Sequence, residues 1–200
     1  MKNQVVIIFW LFAISVANGQ NKNAFLYGSI SAGGGTHDIF HLSLETMVEK
    51  KHHLAITHFA TKRNASNVPE DYKPGLVLNF WGSDYIPDIK SCSYSFVYGR
   101  VIPTKSKMIR FVLDAGLGFA ITQRPVGFKR IEKPEFLGPN YTYSKENSTS
   151  LNLVIAPKIE IPLLRFVGLS TGPVANINSK DSAFGWILSL NIGLLRGKKY

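Results

Sequence analysis

Five histidines fall early in the chain: His37, His41, His52, His53 and His58. Imidazole binds transition metals and moves protons near neutral pH, so such a cluster raises metal or acid–base chemistry. The spacing argues against both. His52 and His53 are adjacent, and adjacent residues on a strand point to opposite faces and chelate poorly together. His52 also sits in or beside a short basic turn, which favours solvation. Gly28 to Gly35 is rich in glycine but lacks the Lys and Ser/Thr of a phosphate loop and opens no helix. Cys92 is alone, so the chain has no internal disulfide, and it reads as a small strand residue rather than a reactive thiol. The expectation is a protein with no catalytic residues, no metal and no cofactor.

The elements that must carry these residues alternate with a period of two. In the stretch GWILSLNIGLLRGKKY, Trp186, Leu188, Leu190 and Ile192 take every second place, and Gly185, Ser189, Asn191 and Gly193 lie between them. The pattern predicts eight strands: 24–32, 39–49, 53–62, 91–102, 108–122, 150–161, 166–176 and one after 182. Gly33-Gly34-Gly35 reads as a turn. Pro157 and Pro173 each remove a ladder hydrogen bond, so a bulge or kink is expected at each.

Glu45, Arg110, Asp114, Lys158 and Glu160 all fall on the small, polar face of their strands, opposite Leu, Ile and Phe. In a soluble barrel that face would meet water. In a membrane barrel it would line a narrow lumen, where the two bases and three acids must pair. Gly116, Gly118, Gly168, Ser170, Gly172 and Ser189 share that face and suit a crowded lumen better than a solvated surface. The fold class that follows is all-β, an eight-stranded antiparallel up-and-down transmembrane barrel.

The connections sort by length. Those at 50–52, 103–107 and 162–165 are short, and both long ones, 63–90 and 123–148, fall between them in order. In an up-and-down barrel alternate connections share a rim, so the long loops are expected outside the cell and the short turns in the periplasm. Tyr72, Trp81, Tyr85, Tyr141 and Tyr143 lie in the long loops and are candidate anchors for a surface or envelope partner.

The first nineteen residues read as a secretory leader. Lys2 precedes an apolar run from Val5 to Val16, and Ala17 and Gly19 are the small residues a signal peptidase reads, so cleavage is expected between Gly19 and Gln20. The domain plan is a signal peptide over 1–19 and one barrel domain over 20–200. The 200 residues carry 23 Lys and Arg against 13 Asp and Glu; losing Lys2 with the leader leaves a net charge of +9. Much of that charge falls in or near the short turns, at Lys50, Lys51, Arg100, Lys105, Lys107, Arg165, Arg196, Lys198 and Lys199. Anionic headgroups or peptidoglycan suit it there better than nucleic acid.

Four segments carry a resemblance: SFVYGRVIP (Ser95–Pro103), FVLDAGLGFA (Phe111–Ala120), LNLVIAPKIEIPLLRFVGLSTG (Leu151–Gly172) and ILSLNIGLLRGKKY (Ile187–Tyr200). The chain resembles the small outer-membrane β-barrel proteins of Bacteroidota, of the porin-like and OmpA-like eight-stranded kind. The resemblance implies a place in the bacterial outer membrane, contact with outer-membrane lipid and a monomer, and it assigns no activity. Asp181-Ser182-Ala183 resembles the O-glycosylation triplet of the same bacteria. One departure is the end of the chain, where Lys198 and Lys199 precede the terminal Tyr200. Two other readings stand beside this one: a soluble lipocalin-like carrier whose apolar face lines a ligand cavity, and a lipid-A-modifying barrel enzyme. For the enzyme the nearest approach to a His–Ser pair is His58 with Thr57 or Thr61.

Overall fold

The structure is a computed structural model and describes residues 24–75, 86–104, 109–132 and 138–196. The leader and its Gly19–Gln20 junction lie outside these residues, as do Trp81, Tyr85, Lys105, Lys107, Lys198 and Lys199.

Nine strands are present: β1 (Ala24–Gly35), β2 (Asp38–Val48), β3 (His52–Asn64), β4 (Asp88–Pro103), β5 (Arg110–Arg130), β6 (Tyr141–Ile155), β7 (Lys158–Ile161), β8 (Val167–Asn178) and β9 (Ala183–Gly193). Every pairing is antiparallel, and β9 pairs with β1 (Ser189 opposite Ser31), so the sheet closes on itself. β6 and β7 follow one another between β5 and β8, and together they make one wall position of eight. Closure leaves no edge in the wall, which is the condition for strands to cross lipid. Among the described residues no helix is long and apolar enough to cross a membrane.

The apolar set faces out. Leu151 is 86% exposed and Leu117 71%, and Ile56, Phe96, Trp186 and Leu188 stand on the same outer surface. The inward positions hold Ser29, Ser93, Asn152, Ser170 and Asn191, all buried. A soluble carrier needs the reverse arrangement, because an apolar surface wrapping the whole wall far exceeds what water tolerates. The lipocalin-like reading is therefore wrong, and the barrel is a transmembrane one.

Four local expectations change. The expected long strand over 150–161 is two strands, because the ladder breaks at Ala156 and Pro157. The expected kink at Pro173 is absent: β8 runs through it, with Pro173 opposite Trp186 on β9. The two facts have one cause. On its other side β8 pairs with β6 as far as Ala175 opposite Ile155, and with β7 from Thr171 opposite Ile159. Pro173 thus faces the gap that Pro157 creates, and neither missing N–H leaves an acceptor stranded in a continuous ladder.

The second long loop is mostly a ribbon. β5 and β6 stay paired beyond the wall up to Arg130 opposite Tyr141, with a register shift between Val126 and Lys129 where Gly127 has φ 66°. Gly33 to Gly35 is strand rather than turn. A Cβ at Gly33 would overlap the Trp186 carbonyl, and one at Gly35 the Phe184 carbonyl, so the glycines permit a close approach of β1 to β9.

Candidate functional site

Two apolar layers cross the barrel interior. Phe25, Met47, Val101 and Val112 pack together towards the short-turn end, with Leu194 against them. Ile39, Phe59, Val174 and Ile187 pack towards the other end, with Ala156 from the β6–β7 break against them. Between the layers lies a charged one, and every member comes from strand parity: Tyr27 from β1, Glu45 from β2, His53 from β3, Arg110 and Asp114 from β5, and Lys158 and Glu160 from β7.

Lys158 Nζ is the centre of this layer. It lies 2.5 Å from Glu45 Oε2, 3.3 Å from Glu160 Oε1 and 3.6 Å from Asp114 Oδ2. Arg110 Nε donates to Glu160 Oε2 at 2.6 Å, and its NH1 donates to the Leu195 carbonyl at 3.1 Å. The Tyr27 hydroxyl donates to Glu160 Oε1 at 2.7 Å. His53 is wholly buried, with Nδ1 2.8 Å from Asp114 Oδ1 and Nε2 2.8 Å from Glu45 Oε2. Only the doubly protonated ring donates to both carboxylates, so geometry makes His53 a third cation. Three carboxylates then meet three cations, as removal of this layer from water demands.

The five charged residues named from sequence, Glu45, Arg110, Asp114, Lys158 and Glu160, all come together here. His53 and Tyr27 do not figure in that reading. The signal for His53 is parity, since Leu54 and Ile56 face out and place His53, Ala55 and Thr57 inside. His52, by contrast, faces out and bonds the Tyr98 hydroxyl at 2.9 Å.

Glu45, His53 and Glu160 offer ligand atoms within 4.8 Å of one another, which invites a metal. The position is already taken, because the Lys158 ammonium bonds both carboxylates. The adjoining cavity, walled by Ser29, His41, Thr57 and Ser189 among others, holds about 30 Å3, room for one or two waters and no substrate. The acids and bases neutralise one another beside a cavity with room for a water or two.

Above the charges the lumen is stitched by neutral pairs. Ser31 Oγ donates to Ser189 Oγ at 2.8 Å, and Asn176 and Asn152 donate to Ser93 and Ser95. At the mouth stands a charged clasp, in which Asp181 takes His37 at 3.1 Å and Arg63 at 2.9 Å. Asp181 and Ala183 are buried, and the Ser182 hydroxyl donates to the Asn178 carbonyl, so the glycosylation-like triplet presents no free hydroxyl.

Beyond the mouth the β5–β6 ribbon meets the segment before it in space, residues 65–75. Asn140 Nδ2 donates to the Asp71 carbonyl at 2.7 Å, the Lys73 amide donates to Asn140 Oδ1 at 2.6 Å, and the Tyr141 hydroxyl donates to Asp71 Oδ1 at 2.8 Å. That last bond holds the Tyr141 phenol above its ordinary pKa. Four rings form a chain: Tyr72 lies 6.4 Å from both Phe128 and Tyr141, and Phe128 lies 5.3 Å from Tyr143. Tyr72, Tyr141 and Tyr143 are three of the five loop aromatics named from sequence. Phe128 is the addition, hidden from that reading because its ribbon resembled a loop.

No protein-family model matches the chain, and no curated protein matches its sequence. Among solved structures, a major outer membrane protein from Thermus thermophilus is similar with a TM-score of 0.52 at 11% identity, over 84% of this chain and 97% of that one. Neisserial surface protein A superposes with a TM-score of 0.46 at 13% identity, over 85% and 92%, and Ail of Yersinia pestis with 0.47 at 8% identity, over 86% and 97%. The first likeness speaks for the fold. The chain is an eight-stranded transmembrane β-barrel of the outer-membrane type.

Proposed function

We propose that the chain is a non-catalytic, monomeric protein of the bacterial outer membrane, with the ribbon and its partner loop outside the cell and their aromatic cluster recognising a surface partner. The observation that carries this reading is the ordering of the cluster. Backbone and side-chain hydrogen bonds fix residues 65–75 against the ribbon and hold Tyr72, Phe128, Tyr141 and Tyr143 together clear of the barrel. Loops on a rigid scaffold commonly carry recognition, and rigid aromatics are favoured anchors. The plugged lumen supports it too, since solute has no path through two apolar layers and a paired charged one. The barrel itself sits in outer-membrane lipid and needs no cofactor or nucleic acid.

The test is selective binding by the mature chain in nanodiscs to arrayed glycans and extracellular-matrix proteins. The expected result is signal above empty nanodiscs that a Tyr72→Ala/Tyr141→Ala/Tyr143→Ala variant loses while it still folds. No selective binding, or an equal signal from the variant, overturns recognition. If the variant instead weakened resistance of cells to detergent, the cluster would serve envelope integrity.

A further inference from the structure

The two ends of the barrel differ sharply in charge. At the long-loop end the described residues mix nine Lys and Arg with seven Asp and Glu. At the short-turn end, outside the lumen, the described residues carry Lys50, Lys51, Arg100, Arg165 and Arg196 against one carboxylate, Glu49.

Two observations mark this imbalance as more than a solvated surface. The β2–β3 turn closes with the Lys51 amide donating to the Val48 carbonyl at 3.1 Å, and its central residues, Glu49 and Lys50, have φ of 54° and 58°. A turn of this mirror-image type favours Asn-Gly or Gly-Gly, so a Glu-Lys pair is held there against backbone preference. The strain keeps a cation at the tip where glycine would be easier. Second, the cations adjoin the lipid-facing wall. The Val101 amide donates to the Lys51 carbonyl at 2.8 Å, which sets Lys51 beside Arg100. Arg165 lies over the Phe166 ring at 4.9 Å, its buried Nε has no hydrogen-bond partner among the described residues, and Phe166 and Leu164 are exposed. An apolar band rimmed by an excess of cations among the described residues matches the boundary between acyl chains and anionic headgroups.

We propose that the short-turn rim binds phosphodiester headgroups of anionic phospholipid in the leaflet it faces, with Lys50, Lys51, Arg100 and Arg165 as the contacts. The proposal needs the transmembrane barrel and is independent of what the loops recognise.

Native mass spectrometry of the mature chain, folded in detergent and supplied with phosphatidylglycerol or phosphatidylcholine of matched acyl chains, tests it. Phosphatidylglycerol adducts should exceed phosphatidylcholine adducts by at least about fivefold, and raised salt should shrink the excess. Free inorganic phosphate should not displace the lipid, since the wall supplies the rest of the site. K50Q/K51Q/R100Q/R165Q should bring the two lipids near parity. Removing as many charges at the other end, in K73Q/K129Q/K145Q/K180Q, should leave the excess as in the parent chain. K50Q/K51Q alone leaves the wall untouched and should give an intermediate loss, which guards against misfolding of the larger variant. Equal retention of both lipids by the parent chain overturns the proposal. So does an equal loss in both fourfold variants, which would make net charge rather than this rim the cause.

Discussion

Lys158 Nζ and Glu45 Oε2 lie 2.5 Å apart across the lumen, the first from β7 and the second from β2. The pair spans the barrel rather than joining neighbours in the wall, so it ties opposite sides of the cylinder. Both partners sit between apolar layers, where an unpaired charge finds no water.

Lys158→Met should therefore destabilise strongly. It leaves Glu45, Glu160 and Asp114 facing only Arg110 and His53, and breaking a buried pair from one side costs about 3–5 kcal/mol. Urea unfolding in vesicles measures this. The double variant Glu45→Gln/Lys158→Met, which removes one charge of each sign, should recover most of the loss. An unchanged midpoint for Lys158→Met would mean that its ammonium is hydrated.

Gly99 tests the same layer through shape. It lies opposite Asp114 in the β4–β5 register, and a Cβ there would overlap the Asp114 carboxylate. Gly99→Ala should push Asp114 away from His53 and cost about 1–3 kcal/mol, the usual range for overpacking. In an Asp114→Ala background the same change should cost less, since the nearest obstructing group is gone and only the Leu113 carbonyl still crowds the Cβ. Additive costs would place the strain elsewhere.

Much of this layer was legible from alternation. Glu45, Asp114 and Glu160 fall on the small-residue face of their strands, and period two carries that face inward once the apolar set is given to lipid. Which residues pair was less legible, because contact across a lumen depends on stagger and barrel tilt rather than on sequence spacing. His53 escaped because the sequence sets its neighbour His52 in or beside the basic turn, whereas β3 already begins at His52, and a one-residue difference decides the face. The β5–β6 ribbon escaped because residues 123–148 scatter their few apolar residues among prolines, glycines and charges, as a strand pair outside both membrane and core can do. Pro157 and Pro173 show a third limit: each is a breaker read singly, but placed opposite one another they share one interruption.

The filled lumen predicts an electrically silent barrel. Phe25, Met47, Val101 and Val112 pack across one end, the His37–Asp181–Arg63 clasp stands at the other, and the charged layer between them is paired. Reconstituted in planar bilayers, the chain should give no stepwise conductance. Reproducible steps of fixed size would require the plug to move and would reopen a role in solute passage.

Topology joins the barrel to its proposed work. Connections alternate between the ends, so residues 65–75 and the outer end of the β5–β6 ribbon share one side, and the turn at 49–51 lies on the other. Outer-membrane barrels carry their longer connections outside the cell. Ser144 stands exposed on the ribbon and Lys51 exposed on the opposite rim, so each reports one side. The parent cysteine, Cys92, is half-buried in the wall, so Cys92→Ser should precede both tests. In that background Ser144→Cys should react with a membrane-impermeant maleimide on intact cells, and Lys51→Cys only after the outer membrane is opened. Protease added to intact cells should cut within the loop and ribbon and spare the strands below. Labelling of Lys51→Cys on intact cells, with Ser144→Cys silent, would invert the barrel. The aromatic cluster would then face the periplasm, and the surface-recognition reading would fall while the fold stood.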